Sequence, residues 1–134
     1  MTTQIKDSGL QFHPHKGDVL MCDFVGNIVP EIVKKRPVVV LRNQLQYRTG
    51  LVFIIPLSST PPDHDVPYSF KLSRNYLSND DVAMYAKCDL VCSVSLARLD
   101  RIKIGYRRYA TPKMCPEDFD RVVIGVKSAL GLVP

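Results

Sequence analysis

The apolar residues of this chain come in short blocks, each closed by proline, glycine or a polar turn. Even a long block such as Leu51-Val52-Phe53-Ile54-Ile55-Pro56-Leu57 spans only seven residues. A membrane-spanning helix needs about 20 apolar residues in a row, so no such helix is expected. Blocks of this length suit β-strands. Val19-Leu20-Met21-Cys22-Asp23-Phe24 reads as the first strand, and Pro37-Val38-Val39-Val40-Leu41 as a buried second one. Pro37 stands at a strand's first position, where a missing N–H does least harm. Leu51 to Leu57, Val66 to Leu72, Val82 to Lys87 and Leu90 to Ser95 follow as strands. The last two, joined near Lys87-Cys88-Asp89, fit one long bent strand equally well.

Only the C-terminal segment repeats with a helical period. Phe119, Val122, Val123, Val126 and Leu130 fall at i, +3, +4, +7 and +11, on one helix face. Pro116 suits a first turn, Glu117 and Asp118 complement the positive end of the helix dipole, and Gly131 is a stop. Many short strands and one closing helix predict a mainly β, α+β domain: a small curled sheet or barrel with a helix packed on it.

A chain of 134 residues, 46% hydrophobic, has room for one core and needs no disulfide or metal staple. Residues 1–15 are polar and aperiodic and are expected as a flexible arm, with a single domain over residues 16–134. The arm lacks an apolar h-region, so a cytoplasmic protein with its four cysteines reduced is expected.

Metal chemistry finds little support. Cys88 and Cys92, four residues apart, stand ~13 Å apart on a strand, too far to share one zinc. His13 and His15 have no partner pair nearby, and His64 reads as a solvated loop histidine. No nucleotide-binding glycine pattern, nucleophile elbow or HExxH motif occurs, so no metal and no cofactor are expected.

The cations say more. The net charge is +5, and Lys34, Lys35, Arg36, Arg42 and Arg48 fall within fifteen residues that contain no acid. Arg98, Arg101, Lys103, Arg107 and Arg108 form a second cluster, interrupted by Asp100. Such clusters hold phosphates, although a solvated face is the commoner meaning of a charge run. Arg36 directly precedes a buried strand, a rigid mount for a planar fork that grips two phosphate oxygens. Ser58-Ser59-Thr60 leaves the end of the third strand. These hydroxyls face Arg36 if the ends of the second and third strands lie together; otherwise they are turn chemistry alone.

Four pieces in order resemble the MazF/PemK family of toxins from bacterial toxin–antitoxin pairs. Lys16-Gly17-Asp18 before the first strand is similar to the family's opening. Glu31, four residues, then Arg36-Pro37-Val38-Val39-Val40 is similar to its E-x4-R-P-V segment. Ile55-Pro56-Leu57-Ser58-Ser59-Thr60 resembles its hydroxyl-bearing strand end, and Lys87-Cys88-Asp89 its later C-D element. The resemblance implies an SH3-like barrel of the CcdB/PemK-like type, paired into a homodimer. It implies a metal-independent endoribonuclease that cuts single-stranded RNA at short sequences and is silenced by a cognate antitoxin protein. Carried over by position, Arg36 and Ser58 match the catalytic arginine and hydroxyl. Glu31, Ser59, Lys87 and Asp89 match positions at or beside the RNA groove. Glu31 is the candidate base or hydroxyl-orienting group, with a local ion pair to Lys34 or Lys35 as the alternative. Lys34, Lys35 and Lys87 would bind RNA, with Tyr47, Phe70 and Tyr85 as candidate stacking platforms. Lys34-Lys35 departs from the small or polar pair common before the arginine, and Cys92, Ser93 and Ser95 depart from the family's later Arg-Thr and Asp. The fold's superfamily also holds gyrase poisons, so a non-catalytic barrel that inhibits a protein target is the alternative.

Overall fold

The computed structural model describes residue 10 and residues 12–132. Three strands form its centre: β1 (Val19–Cys22), β2 (Arg36–Arg42) and β3 (Leu51–Ser58). They pair antiparallel in chain order, with Val19 opposite Val39 and Val39 opposite Ile55. Side chains alternate between two cores. Leu20, Cys22, Val38, Val40, Val52 and Ile54 fill one with Phe24, Val94 and Leu99. Val19, Val39, Ile55 and Leu57 fill the other with Cys88, Ile102, Met114, Val122 and Val126. Burial on both faces is why these strands read as unbroken apolar runs rather than as alternating ones.

The later strands are shorter than the sequence suggests. The strand expected over Val66 to Leu72 reduces to β4 (Ser69–Lys71), because the chain turns at Pro67-Tyr68 and Val66 makes only a lone bridge to Ser69. The strands expected over Val82 to Lys87 and Leu90 to Ser95 are β5 (Tyr85–Lys87) and β6 (Cys92–Ser95). Both pair antiparallel with β3, Ala86 opposite Leu57 and Val94 opposite Val52. A 3-10 turn at Cys88–Leu90 interrupts what would otherwise be one bent strand. It sends Cys88 fully into the core and leaves Asp89 exposed. Burial, and then the charge of Asp89, push the Cys88 thiol up to about 12.

Three further strands had no sequence signal. β7 (Leu99–Asp100) pairs with β1, Leu99 opposite Cys22, and so closes that edge. β8 (Ile102–Gly105) and β9 (Arg108–Ala110) form a separate hairpin. Arg107 in its turn takes φ 52, a left-handed conformation that glycine or asparagine usually announces.

Helix α1 (Pro116–Ala129) closes the fold. Val122 and Val126 are buried, and Phe119 and Val123 half-buried. Leu130, expected on the same face, caps the helix instead and is 57% exposed, because Gly131 at φ +71 turns the chain away. Gly125 packs directly on the 3-10 turn: a Cβ there would lie 2.7 Å from Cys88 Sγ and 3.2 Å from the Phe70 ring.

Asp118 does more than complement a dipole. It is 1% exposed and accepts hydrogen bonds from Tyr76 Oη at 2.7 Å and Ser73 Oγ at 2.8 Å. Burial pushes its carboxyl up, but these bonds and that from the Ser73 N–H outweigh it and hold the group below the ordinary carboxylate range. Burial, then the hydrogen bonds to Cys115 and Asp118, drive the Tyr76 hydroxyl well above its usual range.

The Lys16-Gly17-Asp18 motif is a structural corner. Gly17, at φ +90, donates to Val40 O and accepts from Met114 N–H. The Asp18 carboxylate accepts from His15 N–H at 2.8 Å and pairs with Lys113 Nζ at 3.2 Å. Most of the expected arm, residues 1–9 and 11, lies outside the described residues. Its end is pinned: His13 Nε2 donates to Asn43 O, and Asn43 Nδ2 donates to Pro14 O. Among the described residues no helix is long and apolar enough to cross a membrane.

Candidate functional site

Arg36 opens β2 and Ser58 closes β3. Val38 stands opposite Pro56, so the antiparallel ladder brings Arg36 level with Ser58. The juxtaposition that the sequence left open is therefore made by the buried centre of the sheet. Both residues line one open cavity of about 330 Å³, walled also by Ser59, Thr60, Asn75, Ser78 and Asp80.

Arg36 is exposed, and its guanidinium makes one weak hydrogen bond, Nη1 to the Lys35 carbonyl at 3.5 Å. Among the described residues no carboxylate pairs with it. The fork is free for an external anion. Ser58 Oγ accepts the Thr60 N–H at 3.0 Å, which fixes the hydroxyl in a tight turn and leaves its proton for another acceptor.

Glu31 and Asp89 lie in a second cavity of about 210 Å³ with Asn27 and Cys92, over Phe24 and Pro56. Pro56 of β3 lines this cavity, and the next two residues of the strand, Leu57 and Ser58, line that of Arg36. Glu31 accepts the Ile28 N–H at 2.7 Å and donates its own N–H to Ile28 O, so it braces the loop between β1 and β2. Asp89 reaches this cavity because the 3-10 turn throws it out of the ladder. Burial and then the charge of Glu31 push the Cys92 thiol up, against the opposing charge of Arg98.

The remaining sequence candidates spread around these cavities. Lys34 and Lys35 are exposed in the loop that leads into Arg36, and Ser59 lines the Arg36 cavity. Lys87 is half-buried, donates to Ser69 Oγ at 3.2 Å and lies 5.9 Å from the Tyr85 ring centroid. Tyr85 stands beside Ser58 in the ladder. Tyr47 is 96% exposed on the β2–β3 connection, whereas Phe70 is covered by the Arg121 guanidinium at 4.3 Å. His64 lines neither cavity.

Asp80, which the sequence did not single out, is among the described residues the one carboxylate lining the cavity of Arg36 and Ser58. It sits in the turn-rich stretch Asn75 to Asp81. The sole cue was the Asp80-Asp81 pair in an otherwise basic chain.

Comparison with known proteins bears on this arrangement. The fold is similar to crystal-form I of MazF from Deinococcus radiodurans, at a TM-score of 0.67 and 19% identity, over 90% of this chain and 99% of that one. It is also similar to a mycobacterial endoribonuclease in complex with its cognate antitoxin, at a TM-score of 0.61 and 17% identity, over 90% of this chain and 98% of that one. At these identities the likeness shows the fold alone. In sequence, the protein YifN of Escherichia coli (strain K12) is 28% identical over 148 residues, 92% of this chain and 98% of YifN. The family described as PemK-like, MazF-like toxin of type II toxin-antitoxin system matches residues 15–114. That span holds the Lys16-Gly17-Asp18 corner, Arg36, Ser58 and the Cys88-Asp89 turn, and the chain belongs to this family of toxins.

Proposed function

We propose that this toxin is a sequence-specific endoribonuclease that cuts single-stranded RNA without a metal ion and is silenced by a cognate antitoxin protein. The observation that carries the reading is the free Arg36 fork level with the Ser58 hydroxyl in one open cavity. The likeness to structures described as an endoribonuclease and as a complex with its cognate antitoxin supports it. The proposal includes a homodimer, a cytoplasmic location and a single domain over residues 16–134.

RNA supplies its own nucleophile. The 2′-oxygen bonds to the adjacent phosphorus and its proton leaves. The bond from phosphorus to the 5′-oxygen breaks, and that oxygen takes a proton. The products are a 2′,3′-cyclic phosphate and a 5′-hydroxyl. Negative charge builds on the non-bridging oxygens, where Arg36 holds two and Ser58 donates to one. Arginine stays protonated and exchanges no proton, so Arg36 stabilises charge, and a water molecule supplies the proton that the 5′-oxygen takes. Asp80, in the same cavity, accepts the 2′-proton. Glu31 lines the second cavity rather than that of Arg36, so its role shifts from base to recognition. There Glu31 and Asp89 accept hydrogen bonds from a base's exocyclic amine. Ser59 contacts the strand beside the scissile phosphate, and Lys34, Lys35 and Lys87 hold flanking phosphates.

The test is incubation of the purified chain with single-stranded RNA in EDTA, with the fragment ends mapped. Cuts that leave cyclic phosphates and 5′-hydroxyls are expected. Intact RNA, with growth arrest on expression, overturns the reading in favour of a protein target.

A further inference from the structure

The second basic cluster divides in the structure. Arg98 is consumed by the fold, its Nη1 donating to the carbonyls of Asp23 and Val25 at 2.9 and 2.8 Å. Arg101 sits 3.8 Å from Asp100 and stacks over the Tyr109 ring at 4.4 Å. Lys103, Arg107 and Arg108 remain, all exposed on the β8–β9 hairpin, and among the described residues none pairs with a carboxylate.

The hairpin is a sheet of its own, outside both cavities. Lys103 stands opposite Tyr109, so cation and ring share one face with the Arg101 stack. Tyr106 is 79% exposed at the tip, with the Arg107 guanidinium 5.2 Å from its ring centroid. Exposed tyrosine interleaved with unpaired cations suits one ligand class in particular. Phosphates meet the cations, and an unstacked base lies on the open ring face.

We propose that the β8–β9 hairpin is a second contact for single-stranded RNA, separate from the cleavage cavity. Lys103, Arg107 and Arg108 hold the backbone, and Tyr106 stacks a base. The inference rests on the ribonuclease reading for the identity of its ligand. An acidic peptide would satisfy the cations but leave Tyr106 without purpose.

The test uses a fluorescent oligothymidine strand, which lacks the 2′-hydroxyl and is not cut. Its binding to the full chain is measured across salt concentrations. The triple variant Tyr106→Ala, Arg107→Ala, Arg108→Ala should bind about tenfold or more weakly. Its salt slope should fall by about 1.4, at ~0.7 for each lost phosphate contact. Tyr106→Phe should keep wild-type affinity, and thermal melts should show all variants folded. A triple variant with wild-type affinity and slope overturns the inference, as does polyglutamate competing as well as the oligonucleotide. Wild-type protein that binds the strand but leaves RNA intact overturns the nuclease reading and spares the hairpin contact.

Discussion

Arg36 stands level with Ser58 because Val38, Val39 and Val40 pair in register with Pro56, Ile55 and Ile54. These three valines and both isoleucines are completely buried. A fully buried ladder therefore fixes the spacing of exposed Arg36 and half-buried Ser58. A one-residue slip would exchange these side chains between the two cores and separate the pair at once.

Arg36→Ala should lower the RNA cleavage rate by about 10²–10³, as loss of a charge-stabilising donor does elsewhere. Among the described residues the Arg36 guanidinium bonds only to the neighbouring Lys35 carbonyl, so the melting temperature should stay at the wild-type value. Ser58→Ala loses a neutral donor and should cost about tenfold. Single-turnover cleavage beside a thermal melt checks both, and full activity of Arg36→Ala would remove it from the mechanism.

The two cavities predict two different phenotypes for their carboxylates. Asp80→Asn should slow cleavage of every site alike. Glu31→Gln should change which sequences are cut while leaving the rate at the sites still cut near wild type. Single-turnover rates, with fragment sequencing, separate them. A uniform loss of rate in Glu31→Gln with altered cut sites in Asp80→Asn would reverse the assignment.

How far the sequence reached follows from burial. β1, β2 and β3 are covered on both faces, so selection for apolar side chains wrote them as plain runs. The helix start was legible from Pro116, Glu117 and Asp118, and its end from Gly131. β7, β8 and β9 carry two to four residues each, several exposed, and a turn without glycine, so nothing periodic marks them. Arg36 and Ser58 were readable because each adjoins such a run. Asp80 was not, because its place beside them depends on a loop folding back across the strand ends, and no local pattern encodes that.

Gly125→Ala should destabilise the domain. The new methyl meets Cys88 Sγ and the Phe70 ring inside contact distance. Overpacking of this kind costs about 1–3 kcal/mol. At roughly 3–5 °C per kcal/mol for a chain this size, a calorimeter reads it directly. The double variant Gly125→Ala, Cys88→Ala should recover part of the loss, since the clashing sulfur is gone.

Asp118 makes stability acid-sensitive. Its folded pKa lies below the unfolded value of about 3.9, so its contribution is complete above that pH and disappears as pH falls through the folded value. Asp118→Asn should lower the melting temperature at neutral pH, equivalent to about 1.5–3 kcal/mol for lost charged hydrogen bonds. It should also melt with a shallower decline below about pH 4. Melting curves over an acid series check the sign: a variant as acid-sensitive as wild type would show that another carboxylate governs the transition.

The 3-10 turn at Cys88–Leu90 joins interior and exterior in consecutive residues, a thiol wedged beneath the helix and a carboxylate at the rim of the smaller cavity. On the proposed role of Asp89 in base recognition, a substitution that shifts Cys88 beneath the helix shifts this carboxylate with it, so target preference changes without any change at the rim.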